Sequence, residues 1–172
     1  MDIIPKHKKT VFISHSIEVQ KTVKDSFDFI INDLTKVYSQ LSKGHEYFKT
    51  ESGNNISLGE AIHCAETAGN QSIKHKYVVD KMIENKRIQY YSKPSLVSIK
   101  LPWKTVESKS NTYVYWDFEK KDLNKTKIKI TIGIQFSSFF EKFFSQLLGG
   151  IIPWKKHCVE EMEGLKRLLS HE

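Results

Sequence analysis

Cysteine is scarce here: Cys64 and Cys158 are the two in 172 residues. Two thiols cannot build a disulfide framework, they form no CxxC zinc pattern, and they fit a reducing compartment. Long apolar runs are also missing, so no segment reaches the length that a bilayer-spanning helix needs. The opening residues, Met1 to Lys6, lack the apolar core and cleavage signal of a secretory peptide, which points to the cytoplasm. No internal repeat, linker or nucleic-acid-binding motif is visible. These absences set aside secreted, membrane-inserted and nucleic-acid-binding classes. What is left is one folded domain over 1–172, long enough to bury a core with room for a cavity.

What the chain does have is a globular composition, 39% hydrophobic and 27% charged, with a formal net charge of +7. The charge is uneven, since residues 74–109 hold nine Lys and Arg against three acids. Such a stretch would attract an anionic partner. Most of these lysines alternate with apolar residues, however, as the wet faces of strands do.

After a basic lead-in over residues 1–9, Val11 to Val19 alternates as a half-buried strand, with Val11, Ile13, Ile17 and Val19 on one side and His15 sharing it. Thr22 to Leu41 reads as helix, capped by Thr22 with Asp25 three residues on, and Asn32-Asp33 splits it into two short helices. From His45 the pattern turns to strands: His45 to Thr50, Ile56 to Ala68, Gln71 to Met82, Arg87 to Ser92, Leu96 to Trp103, Asn111 to Lys120 and Lys127 to Phe136. Gly53-Asn54-Asn55, Gly69-Asn70 and Glu84-Asn85-Lys86 supply turns between them. A Phe-rich run from Phe139 to Leu148, including Phe144 and followed by Gly149-Gly150, reads as a short helical flap packed over the sheet.

Pro153 to Glu172 is the last helix, with Pro153 in the first turn where proline is tolerated. Trp154, Cys158, Met162, Leu165 and Leu169 make its apolar stripe. His157 and Glu161 lie inside that stripe one turn apart, so a carboxylate is being buried. It must be paired, neutralised or bound to a cation. A buried His–Glu hydrogen bond is the plain answer; a metal held by the i,i+4 pair is the other. In Ile56 to Ala68, Glu66 shares a side with Ile62 and Cys64, the company of an inward face. Glu60 shares that parity and stands in reserve.

The order is strand, two short helices, about six antiparallel strands and a long C-terminal helix. It predicts an α+β fold in which a curved antiparallel sheet wraps around the final helix. This order resembles the START-like, or Bet v 1-like, helix-grip superfamily (SRPBCC, polyketide cyclase-like) over essentially the whole chain. The resemblance implies a cavity between sheet and last helix for a small hydrophobic or aromatic molecule. The His-x-x-x-Glu pair on the last helix, with a strand Glu and an earlier His, is similar to a narrower group, the zinc-dependent diacetylphloroglucinol hydrolase family. That likeness implies Zn2+, or another divalent metal, held by His45, Glu66, His157 and Glu161, and hydrolysis of a carbon–carbon bond next to a ketone. In that chemistry the cation polarises the ketone and lowers the pKa of an attacking water.

His15, Cys64, His75, Tyr77 and Cys158 are expected to line the pocket, and Tyr90, Trp103, Tyr113 and Tyr115 offer further ring faces for a planar ligand. A non-catalytic carrier of a lipid or other hydrophobic molecule in the same cavity is the rival function. A third reading is an interaction protein that uses the basic strand faces. The sequence leaves room for a homodimer and predicts neither stable membrane insertion nor nucleic-acid binding.

Overall fold

The computed structural model of the chain describes residues 9–53, 55–92, 94–147 and 150–170. The lead-in over 1–8, Asn54 of the first turn, Leu148 and Gly149 of the flap, and the last two residues lie outside them, as does the Phe144 side chain. In chain order the elements are β1 (Thr10–Val19), α1 (Val23–Asn32), α2 (Leu34–Leu41), β2 (His45–Thr50), β3 (Ala61–Ala68), β4 (Gln71–Ile83), β5 (Arg87–Ser92), β6 (Ser95–Lys100), β7 (Thr105–Asp122), β8 (Lys125–Phe136), α3 (Phe139–Leu147) and α4 (Ile152–Ser170). The strands join one antiparallel sheet in the order β1-β8-β7-β5-β4-β3-β2, with β6 paired to both β4 and β7.

Alternation decides which side of the sheet faces in. Along β1, Val11, Ile13, Ile17 and Val19 are buried while Phe12, Ser14, Ser16 and Glu18 are exposed. The neighbouring β8 buries Ile128 and Ile130, then continues inward with half-buried Ile132, Ile134 and Phe136. Thr22 caps α1, its hydroxyl oxygen accepting from the Asp25 N–H at 3.1 Å. The helical pair breaks at Asp33, as expected from Asn32-Asp33. Helix α4 lies against the inner face and buries Cys158, Met162, Leu165 and Leu169. It touches α2 at Gly164, where a Cβ would sit 2.0 Å from the Leu41 carbonyl oxygen. Only glycine permits that crossing.

Three expectations need correcting. β3 begins at Ala61 rather than Ile56, because 55–60 forms a loop with Gly59 at φ +82°. Ile56 is still buried, and its N–H donates to the Ile31 carbonyl at 2.9 Å. β7 starts six residues earlier than Asn111, at Thr105, so the β6–β7 hairpin is longer and tighter than expected. The Phe-rich run is a helix, α3, but Phe139, Phe140 and Leu147 are exposed rather than packed inward, Phe140 at 72%. At its start Ser138 Oγ accepts from the Glu141 N–H at 3.1 Å and Glu141 Oε2 accepts from Ser137 Oγ at 2.5 Å. Glu141 and Ser145 are the residues of α3 that line the cavity among those described.

Candidate functional site

Between the sheet and α4 lies a cavity of about 490 Å³. Its walls are mostly aliphatic and aromatic, with Ile73, Tyr77 and Tyr90 on the strands and Ile151 and Trp154 at the start of α4. One end is different. There Glu66 from β3 and His157 from α4 line the wall, and His45 from β2 stands beside them outside the lining; the three present donor atoms within 4.8 Å of one another. Pairing of His45 with Glu66 across β2 and β3 sets two of them side by side, and α4 lays the third on top. His157 Nε2 stands 3.5 Å from Glu66 Oε2.

Each imidazole is oriented through its other nitrogen. His45 Nδ1 is 2.9 Å from the Tyr38 carbonyl oxygen, so Nδ1 carries the proton and donates it. His157 Nδ1 is 3.4 Å from Ser42 Oγ. The remaining nitrogens, His45 Nε2 and His157 Nε2, are buried and have no hydrogen-bond partner among the described residues. Gly44 makes this arrangement possible, since a Cβ there would come within 2.9 Å of the His157 ring and 2.1 Å of the Thr67 carbonyl oxygen. Tyr38 stacks on His45 with ring centroids 3.9 Å apart and donates its hydroxyl to Glu66 Oε1, which also accepts from Cys64 Sγ at 3.0 Å.

Glu161 is 5% exposed and lines the cavity, yet its carboxyl does not come within 4.8 Å of all three other groups. Electrostatics separates the two carboxyls. Burial favours protonating both. At Glu66 the His157 contact and the charges of His75 and His45 override burial and hold the group well below the usual carboxylate range. At Glu161 burial, then the neighbouring Glu66 charge, push the group up to about 8. Glu66 is therefore the anion at neutral pH and Glu161 keeps its proton. Burial lowers His45, whereas at His157 the adjacent Glu66 outweighs burial and raises it.

Of the other pocket residues expected, His75 and Tyr77 line the cavity and stack on each other with centroids 4.5 Å apart. Cys64 and Cys158 are buried but do not line it: Cys64 acts as a donor to Glu66, and Cys158 packs from α4 into the hydrophobic core. His15 is a correction. It sits on the inner side of β1, but its Nε2 is 3.8 Å from Glu163 of α4, outside the cavity wall. Glu60, the reserve ligand, is another: its Oε1 and Oε2 accept from the Ser52 N–H and Oγ at 3.0 and 2.9 Å. Tyr90 faces the cavity, but Trp103 is 77% exposed on the β6–β7 turn, and Tyr115 packs against Arg87 instead. Sequence reasoning missed Tyr38 and Ser42. Tyr38 reads as one more apolar position of a helix, although a buried tyrosine hydroxyl needs a partner, and that need was the available signal.

A curved antiparallel sheet closed by a C-terminal helix over an apolar cavity defines the class: this is the helix-grip fold of START and Bet v 1-like proteins. The solved structures it resembles include a START superfamily protein from Mycobacterium smegmatis, with TM-score 0.57 and 13% identity over 92% of this chain and 99% of that one. Another is major latex-like protein 151 from Panax ginseng, with TM-score 0.57 and 8% identity over 87% and 97%. A third is the di-domain aromatase/cyclase BexL of the BE-7585A biosynthetic pathway, with TM-score 0.58 and 12% identity over 95% of this chain. The chain spans 51% of BexL, about half its length. At these identities the likeness is one of fold. No family model and no curated protein matches the chain. No described helix is long and apolar enough to cross a membrane.

Proposed function

We propose that the chain binds a small, mainly apolar molecule in the cavity under α4, with a polar end of that molecule held against Glu66 and His157. The cavity itself carries this reading. Its size suits a ligand of drug-like dimensions, and a mostly apolar wall with a few convergent polar groups is the usual composition of such a site.

A second reading is favoured by the setting of the two imidazoles. His45 Nε2 is buried with no hydrogen-bond partner among the described residues, and His157 Nε2 meets the Glu66 carboxylate at 3.5 Å, while Nδ1 of each ring is engaged elsewhere. Leaving the His45 nitrogen dry is costly, and engagement of the other ring nitrogen is the way that metal-binding histidines are oriented. The residues fit a divalent cation: His45, Glu66 and His157 would hold it, and Glu161 would join once its proton is released. Two imidazoles and two carboxylates suit zinc. Such an ion, when bound, would supply Lewis-acid polarisation of a ketone and a more acidic water, the requirements of hydrolysis at a carbon–carbon bond beside a ketone. The chain's own contribution would be to orient both rings through Tyr38 and Ser42, to exclude bulk water with Trp154 and Ile151, and to move a proton at Glu161.

Elemental analysis of protein purified without added metal separates the readings. The metal reading expects about one divalent ion per chain, lost in His157→Ala together with any ketone-hydrolysing activity. Protein free of metal that still binds an apolar dye in the cavity, equally well in His157→Ala, would leave the binding protein and remove the hydrolase.

A further inference from the structure

The wall opposite the ion-pair cluster is not uniformly apolar. On β7, Ser108, Ser110 and Thr112 occupy three successive inward positions between Val106 and Val114, and all five line the cavity. Ser110 is 5% exposed and Thr112 2%, and their Oγ and Oγ1 atoms have no hydrogen-bond partner among the described residues. Beside them runs a satisfied chain: His75 Nδ1 is 2.6 Å from Ser95 Oγ, which is 2.7 Å from Ser92 Oγ, and that oxygen accepts from the Thr112 N–H at 3.1 Å. The register puts Ser95 opposite Ser110. The polar groups thus form one cluster on β4, β5, β6 and β7, ending in two hydroxyls that no described residue uses.

Burying an unpaired hydroxyl is costly, and valine or alanine would fill either position without that cost. Two in adjacent inward positions, facing the same cavity, therefore point to a ligand atom as their partner. We propose that Ser110 and Thr112 form a second polar subsite, which takes a hydroxyl or carbonyl oxygen at the far end of the bound molecule. The inference rests on the cavity being a binding site and is independent of whether a metal is held. Three strand spacings separate Glu66 from Ser110 by way of β4 and β6, roughly 14 Å along the sheet at about 4.8 Å each, and curvature shortens the direct path. The ligand class is then an elongated apolar or aromatic body with an oxygen function at each end: one at Glu66 and His157 and one at the hydroxyl pair.

Two probes with one skeleton test this, 4-acetyl-4′-hydroxybiphenyl and 4-acetylbiphenyl, titrated against the full chain by tryptophan fluorescence. The hydroxylated probe is expected to bind about tenfold more tightly to the natural protein, the gain of one buried hydrogen bond. Ser110→Ala combined with Thr112→Val should erase that difference and leave the affinity for 4-acetylbiphenyl unchanged. Because these hydroxyls bond none of the described residues, the variant should melt no lower than the natural chain. If it fails to fold, the two-probe comparison on the natural protein decides alone. Equal binding of both probes to the natural protein, or a difference that survives in the double variant, overturns the subsite while leaving the cavity reading intact. Binding of neither probe overturns the cavity reading and the subsite with it.

Discussion

The two ends of the sheet's inner face solve the problem of burial differently. Toward β8 the core is mainly hydrocarbon: Ile17, Ile128, Ile130 and Trp116 stack across β1, β8 and β7, and His15 on β1 is part-exposed beside Glu163. Toward β2 and β3 the same face buries two carboxyls and two imidazoles under one helix. The hydrocarbon end gains stability from every contact. The ionisable end holds only because the groups divide their protons, with Glu66 charged against His157 and Glu161 neutral. One end of the cup is a packed core, and the other gathers the polar groups that the proposed ligand would meet.

Three substitutions can break or sharpen this contrast. Ile128→Ala, at a fully buried β8 position, should lower unfolding free energy by about 3 kcal/mol in urea titrations. It should leave metal content and probe binding as they are; loss of either would mean that the two ends are not separable.

The next effect is smaller and depends on pH. Glu161 holds in the native state, up to about 8, a proton that the unfolded chain releases above its ordinary 4.5. Metal-free native protein therefore binds more protons than the unfolded chain in that window, and stability falls as pH rises through it. His157, raised above its ordinary 6.5, acts in the same direction. His45 and His75 are lowered, His75 to about 4, and oppose the trend only below 6.5. Between pH 6.5 and 8 the chelator-treated protein should lose on the order of 2 kcal/mol, and Glu161→Gln should flatten most of that slope. An equally steep slope in the variant would show that Glu161 is already ionised.

The smallest effect belongs to the outer surface. Arg87 Nε meets Asp117 Oδ1 at 2.5 Å across β5 and β7, but both side chains are part-exposed. Asp117→Asn should cost less than about 1 kcal/mol by the same urea titration. A larger loss would place structural weight on a charged pair outside the ionisable end.

Much of this architecture is legible along the chain. The alternation of Val11 to Val19 and of Ile128 to Phe136 reads directly as half-buried strands, because side-chain direction in a strand repeats every second residue. His157 and Glu161 stand out on their helix because an ionisable group in an apolar stripe violates the ordinary cost of burial. Glu66 followed from parity with Ile62 and Cys64. Tyr38 did not, since a tyrosine on an amphipathic helix resembles any other ring until the groups near its hydroxyl are known. Glu60 failed as a reserve because the chain from 55 to 60 leaves the strand, and parity has no meaning in a loop.

The sequence by itself determined the order of elements, the inward faces of β1 and β8, and which helix carries buried ionisable groups. Those are local properties, set by periodicity and by the chemistry of single side chains. The tertiary structure alone decided that His45, Glu66 and His157 converge, that Glu161 stays protonated beside them, that α3 leaves Phe139 and Phe140 exposed, and that two buried β7 hydroxyls have no hydrogen-bond partner among the described residues. Each of those depends on distances between residues far apart in the chain, and electrostatic coupling and hydrogen-bond satisfaction exist only once those distances are fixed.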